Sequence, residues 1–167
     1  MGNLSAHFDS SEFACKTCGK VSKMSDLLIV RLEQMHLLMD AKAIYINSGF
    51  RCPSCSVKVG GYRDDAHTRG IAADIRVQRQ DGSYYCSEEI AEAAQRVGFG
   101  GIGLMQGATH VDTRDTEPYK NNHWFGDERT GNDNIKTFQR GTVFPGEKLK
   151  HKIKLYLDNE LVVEKEI

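Results

Sequence analysis

Two short cysteine pairs constrain this chain more than any other feature. Cys15-Lys-Thr-Cys18 and Cys52-Pro-Ser-Cys55 each set two sulfurs three residues apart. Four thiolates in that spacing form the donor set of a closed structural zinc site. Such a site would pin the N-terminal segment onto the loop that carries Arg51. Two other states fit the same residues: disulfides, if the protein matures outside the cell, and free buried thiols. Five cysteines in 167 residues are too few for a disulfide-built scaffold. The fifth, Cys86, precedes Ser87 and reads as a lone buried thiol.

The chain is long enough for one ordinary domain with a sizeable core. Hydrophobic residues make up 40% of it and charged residues 27%, which argues against disorder. The formal net charge of -1 provides no basic field for nucleic acid or an anionic membrane. The cysteine pairs therefore do not read as a zinc-ribbon nucleic-acid binder. No apolar run approaches the roughly 20 residues that span a bilayer. Residues 1–13 lack the charged-then-apolar pattern of a secretory leader, so synthesis in the cytoplasm is expected.

Residues 26–39 read as a helix capped by Ser25, with Leu28, Leu32, Met35 and Met39 forming one buried stripe. Residues 43–47 form a short buried strand. Residues 48–70 carry Gly49, Pro53, Gly60, Gly61 and Gly70 and little periodicity, which marks a long, functional loop. A second helix starts at Ser87 as its N-cap, has Glu88 and Glu89 in its first turn, and stops at Gly98. Residues 102–105 and 109–113 make two strands around Gln106-Gly107. Residues 114–134 read as a polar loop. Lysines alternate with Ile153, Leu155 and Leu157, so a hairpin is expected to turn at Asp158-Asn159. The fold class is α+β, with helices packed on a mainly antiparallel sheet. The main domain spans 1–150, and 151–167 either completes its sheet or forms a small appendage.

Three residues stand out chemically. His67 and Asp74 bracket His-Thr-Arg-Gly-Ile-Ala-Ala-Asp, and His110 lies in Thr-His-Val-Asp-Thr-Arg. Two imidazoles and a carboxylate are a ligand set suited to catalytic zinc, with the fourth position left for water. Six histidines produce such spacings by chance, so neither pair is decisive alone. His7, His36, His123 and His151 read as surface or core residues, although His123 shares a polar stretch with Trp124.

Order supplies what single pairs lack. Leu4-Ser5 and Glu12-Phe13 open the chain. Asn47-Ser48-Gly49-Phe50-Arg51-Cys52-Pro53 precedes Val59-Gly60-Gly61. The His67-to-Asp74 segment follows, then Gly101-Ile102-Gly103 and His110-Val111-Asp112-Thr113-Arg114. In this series the chain resembles the zinc D-alanyl-D-alanine metallopeptidases, a family of D,D-carboxypeptidases and phage endolysins. The resemblance runs from about Leu4 to Trp124. It implies that His67, Asp74 and His110 hold one catalytic zinc; a second, structural zinc rests on the cysteine spacing alone. It implies that Arg51 engages the substrate's peptide carbonyl or carboxylate; its plainer reading is a structural arginine paired with Asp64 or Asp65. The sequence departs from the family at two points. Gly107 stands where many relatives place a carboxylate three residues before the last ligand, and Asp65 replaces a usual Ser. Asp112 is then either the general base or a carboxylate that orients a ligand, the second being favoured. A monomeric peptidase acting on bacterial peptidoglycan peptides is expected, released by a phage or carried on a virion. The rival reading is a non-catalytic, zinc-containing module that binds cell wall or protein.

Overall fold

The computed structural model describes residues 2–114 and 122–148, and the backbone of 152–157 and 160–166. The chain order explains how each element forms. Asp9 caps a 3₁₀ turn, Ser10–Phe13: its side chain accepts from the Ser11 N–H, and the Glu12 carboxylate accepts from the Asp9 N–H at 2.7 Å. That turn drives Phe13 into the core. Helix α1 (Asp26–Leu38) buries Leu28, Leu32 and Met35 as the periodicity requires. It is buried beyond that stripe, on Ile29 and Glu33 as well. The Glu33 carboxylate accepts from the backbone N–H of His7 at 2.9 Å and lies 2.6 Å from His7 Nδ1.

Strand β1 (Ala43–Ser48) leads into the loop, which holds a short helix, α2 (Pro53–Lys58). This helix was not legible as periodicity; Pro53 at its first position presets the turn. Strand β2 (Ala72–Gln78) follows, then α3 (Ser87–Val97). The cap of α3 is Cys86 rather than Ser87, and Cys86 is exposed rather than buried. Its backbone N–H donates to the Glu89 carboxylate at 3.0 Å, so the glutamate sets the helix start. Gly98, at φ 92, ends the helix in the left-handed region.

Strands β3 (Gly101–Met105) and β4 (Ala108–Asp112) form the expected hairpin. The stretch read as a loop contains a further strand, β5 (Trp124–Asp127), which pairs in parallel with β3. Part of that stretch, 115–121, lies outside the described residues. The sheet order is β1-β2-β4-β3-β5, antiparallel except for the last pair. The α+β class read from the sequence is therefore the observed one. Strands β6 (Lys152–Leu157) and β7 (Glu160–Glu166) pair with each other as a separate two-stranded sheet. The expected turn at Asp158-Asn159 lies outside the described residues.

Side chains alternate across each strand, and here the two faces do different jobs. Ala73, Ile75 and Val77 of β2, Ile102 and Leu104 of β3, and Val111 of β4 belong to the core against which α1 and α3 pack. Each large member contributes on the order of 1.5–3 kcal/mol by leaving water. Asp74, His110 and Asp112 lie on the opposite face, and Asp74 and His110 are direct cross-strand partners. The segment after β5 returns to the core through Phe138 and Phe144. It is anchored by Glu92, whose fully buried carboxylate accepts from Gly141 and Thr142 N–H and from the Thr142 hydroxyl.

Candidate metal centre and its cleft

The antiparallel register puts Asp74 of β2 beside His110 of β4. His67 arrives from the loop and completes the group. One donor atom from each of the three lies within 4.8 Å of the others. His67 Nε2 is 3.2 Å from Asp74 Oδ1, and His110 Nδ1 is 2.9 Å from the same oxygen.

The outward nitrogens fix which atoms are free to ligate. His67 Nδ1 lies 2.7 Å from the Gly49 carbonyl oxygen, which can only accept, so Nδ1 carries the proton and Nε2 the lone pair. His110 lies between two carboxylates, with Nε2 3.0 Å from Asp112 Oδ2 and Nδ1 2.9 Å from Asp74 Oδ1; a proton held on Nε2 by Asp112 leaves Nδ1 as its ligating atom. Burial alone would depress the His110 pKa, but its hydrogen bonds with Asp112 and Asp74 raise it to about 9. Burial would raise the Asp74 carboxyl, yet the His110 and His67 contacts hold it well below the usual carboxylate range. This is a field that favours positive charge at the centre of the group.

The donors fit zinc. Ligands at 2.0–2.1 Å around a tetrahedral ion stand about 3.3 Å apart, close to the separations found here. Each histidine has its far nitrogen anchored, as metal-ligating imidazoles require.

Asp112 is fully buried. Besides His110 it accepts from Arg114, through the backbone N–H at 2.8 Å, Nε at 2.9 Å and Nη2 at 2.7 Å. Room for this carboxylate comes from Gly101, where a Cβ would stand 2.1 Å from Asp112 Oδ2. Gly103 does the same for the Trp124 ring, 2.8 Å from its own would-be Cβ. The Gly-Ile-Gly motif is therefore the imprint of two side chains lying across β3. Trp124 in turn stacks edge-on to His110, with ring centroids 6.1 Å apart, and the Arg114 guanidinium lies over it at 5.2 Å.

Arg51 lies at the same centre. Its Nη2 donates to Asp74 Oδ2 at 2.5 Å and its Nε to Ser48 Oγ at 2.8 Å. It does not pair with Asp64, which bridges Arg69 at 3.1 Å. Asp65 is occupied by the Ser56 hydroxyl and by the Thr68 N–H at 2.9 Å. It caps the turn leading into His67, a task that Ser could equally perform.

Arg51, His67, Asp74, His110 and Trp124 line one cleft of about 470 Å³. Its wall also includes Glu128, which sequence reasoning missed. Glu128 is exposed, and among the described residues its side chain has no hydrogen bond or ion pair. Gly107 sits at the β3–β4 turn with φ 73, in the left-handed region that glycine favours. His123 is exposed and packs on the Phe125 ring at 5.7 Å, outside the cleft lining.

The family model described as peptidase M15 matches residues 6–112. The zinc D-Ala-D-Ala carboxypeptidase of Streptomyces albus G is 36% identical over 69 residues, 41% of this chain. That match spans only 25% of the Streptomyces protein's length.

Proposed function

The chain belongs to the peptidase M15 family, and from that premise we propose that it is a zinc-dependent peptidase hydrolysing peptidoglycan stem peptides next to D-amino acids. The observation that carries the reading is the convergence of His67 Nε2, Asp74 Oδ1 and His110 Nδ1 in a cleft that also holds Arg51 and Glu128. Those three atoms would hold the ion. Zinc bound there supplies Lewis acidity and lowers the pKa of water toward about 7.

The chain's own residues do the rest. Arg51 is braced at Nε and Nη2, so its Nη1 is the donor left for the substrate's carbonyl or carboxylate. Asp112 is too buried and too engaged to meet a substrate. It acts as a positioning residue that holds the His110 proton on Nε2. The Glu128 carboxylate, unpaired among the described residues, takes a proton from the attacking water and returns it to the departing amine. Tyr62, 79% exposed, and Trp124 give the cleft aromatic walls for the peptide.

The setting we propose is phage or prophage lysis at the bacterial wall, by resemblance to endolysins. The peptidase unit is 1–150, working as a monomer, with 151–167 as an appended hairpin; the self-contained pairing of β6 and β7 supports that division. Gly107 favours one rival, a metal-holding module that binds wall without cutting it.

Zinc-loaded protein incubated with purified peptidoglycan separates these readings. New amino termini that vanish in His67→Ala support the peptidase, and released free D-Ala identifies a carboxypeptidase while longer fragments identify an endopeptidase. Binding to peptidoglycan that stays intact supports the module and defeats the enzymatic reading.

A further inference from the structure

We propose that Cys15, Cys18, Cys52 and Cys55 bind a second zinc ion through four thiolates, and that this ion clamps the N-terminal turn to the loop presenting Gly49 and Arg51. The first half of this proposal stands independently of the peptidase reading.

All four sulfurs lie within 4.8 Å of one another, and Cys18 and Cys52 sulfurs are 3.4 Å apart. A zinc tetrahedron with bonds of about 2.3 Å has sulfur–sulfur edges of about 3.8 Å. All four are free thiols. Apolar filling does not explain the cluster. Cys15 and Cys55 are buried, but Cys18 is exposed and Cys52 half-buried, yet all four converge on one point.

The surrounding backbone turns bring the sulfurs together. The chain turns tightly after Cys15: its N–H donates to the Lys20 carbonyl at 2.9 Å, and the Gly19 N–H donates to the Cys15 carbonyl at 2.7 Å. Gly19 allows this by adopting φ 75. The second pair sits on a turn of its own, with Cys55 N–H donating to the Cys52 carbonyl at 2.9 Å.

The clamp has a direct path to the cleft. Phe50 N–H donates to the Phe13 carbonyl at 2.8 Å, which ties the two cysteine segments together two residues before Cys15 and Cys52. The Gly49 carbonyl accepts a hydrogen bond from His67 Nδ1, and the Arg51 N–H donates to the His67 carbonyl at 3.3 Å. Residues 49–52 therefore run from a histidine anchor, through the substrate-facing guanidinium, to a thiolate ligand. Fixing Cys52 fixes the other two.

Metal content and cobalt substitution test the site. Wild-type protein should carry two zincs per chain, and Cys18→Ser and His67→Ala should each carry one. The cobalt form of wild type should show thiolate-to-metal charge-transfer absorption that persists in His67→Ala and is lost in Cys18→Ser. A mercurial reagent added to native protein should release one zinc and leave the other, a reading that requires no variant to fold. The absence of thiolate charge transfer in wild type, or an intact mass showing disulfides in reduced, zinc-supplied preparations, would overturn the site. The clamp predicts at least a tenfold weaker cleft zinc after thiol blocking; unchanged affinity there would overturn the clamp and leave the site.

Discussion

Replacing Asp112 with Asn separates two roles that the sequence left open. The carboxylate does two things: it accepts from His110 Nε2 at 3.0 Å and from three donors of Arg114. The carboxylate uses both oxygens: Oδ2 takes His110 Nε2 and the Arg114 guanidinium, and Oδ1 takes the Arg114 backbone N–H and Nε. In Asn an oxygen at the Oδ2 position is uncharged and sets the amide N–H₂ against the Arg114 N–H groups; turned around, His110 loses its acceptor. Either way the imidazole loses a charge-assisted hydrogen bond worth about 1.5–3 kcal/mol. At about 1.4 kcal/mol per tenfold this is roughly 10–150-fold in metal affinity, in line with the 10–100-fold usual for such outer partners. The assay is a competition titration with a zinc chelator on wild type and variant, followed by turnover of a stem peptide at saturating zinc. Weaker zinc with turnover within a few-fold of wild type is expected once the site is filled. A variant that binds zinc normally but turns over orders of magnitude more slowly would refute the reasoning and make Asp112 the proton-transfer group.

Four further outcomes follow from the same geometry. Glu128→Gln should lower kcat/KM by about 10²–10⁴-fold with zinc affinity unchanged, read by the same pair of assays. Gly101→Ala drives a methyl group into Asp112 and should cost about 1–3 kcal/mol in chemical denaturation, together with weaker zinc binding. Glu92→Ala strands the Gly141 and Thr142 donors and should destabilise the fold by about 3 kcal/mol at neutral pH, measured by urea denaturation. Burial pushes the Glu92 carboxyl up, but Thr142 and Arg96 bring it down to about 2, below its unfolded value. Its stabilisation is therefore complete above the ordinary carboxylate range near 4.5 and fades as pH falls toward about 2. The gap between wild type and Glu92→Ala should narrow over that window, and a gap independent of pH would count against the assignment.

Local signals were the legible ones. The apolar spacing of α1, the Gly98 stop of α3 and the hairpin around Gly107 each need only neighbouring residues, and all appear near their expected positions. The grouping of His67, Asp74 and His110 was also readable, because His67 and Asp74 flank the entry to one strand and His110 sits on its partner. What escaped depends on distant pairing. Strand β5 has only four residues, and it exists because β3 offers it an edge. Glu128 follows that strand, so no spacing from His110 could reveal it. The cap of α3 lay one residue early because Glu89 reaches back to the Cys86 N–H, a choice that Ser87 disguises. Asp112 illustrates an intermediate case: its parity with His110 was readable, but the Arg114 fork that occupies it was not.

The alternation along β4 carries a consequence for how this protein can fail. Val111 belongs to the layer beneath the helices, while His110 and Asp112 face the cleft. A deletion of one residue within β4 would invert that assignment, driving an imidazole and a carboxylate into the apolar layer and presenting Val111 to the cleft. The chain has no folded but misaligned form to fall back on, since a slip that disarms the centre also dismantles the core. Length changes in this strand should therefore deplete the protein itself, whereas substitutions on the cleft face can silence it and leave it standing.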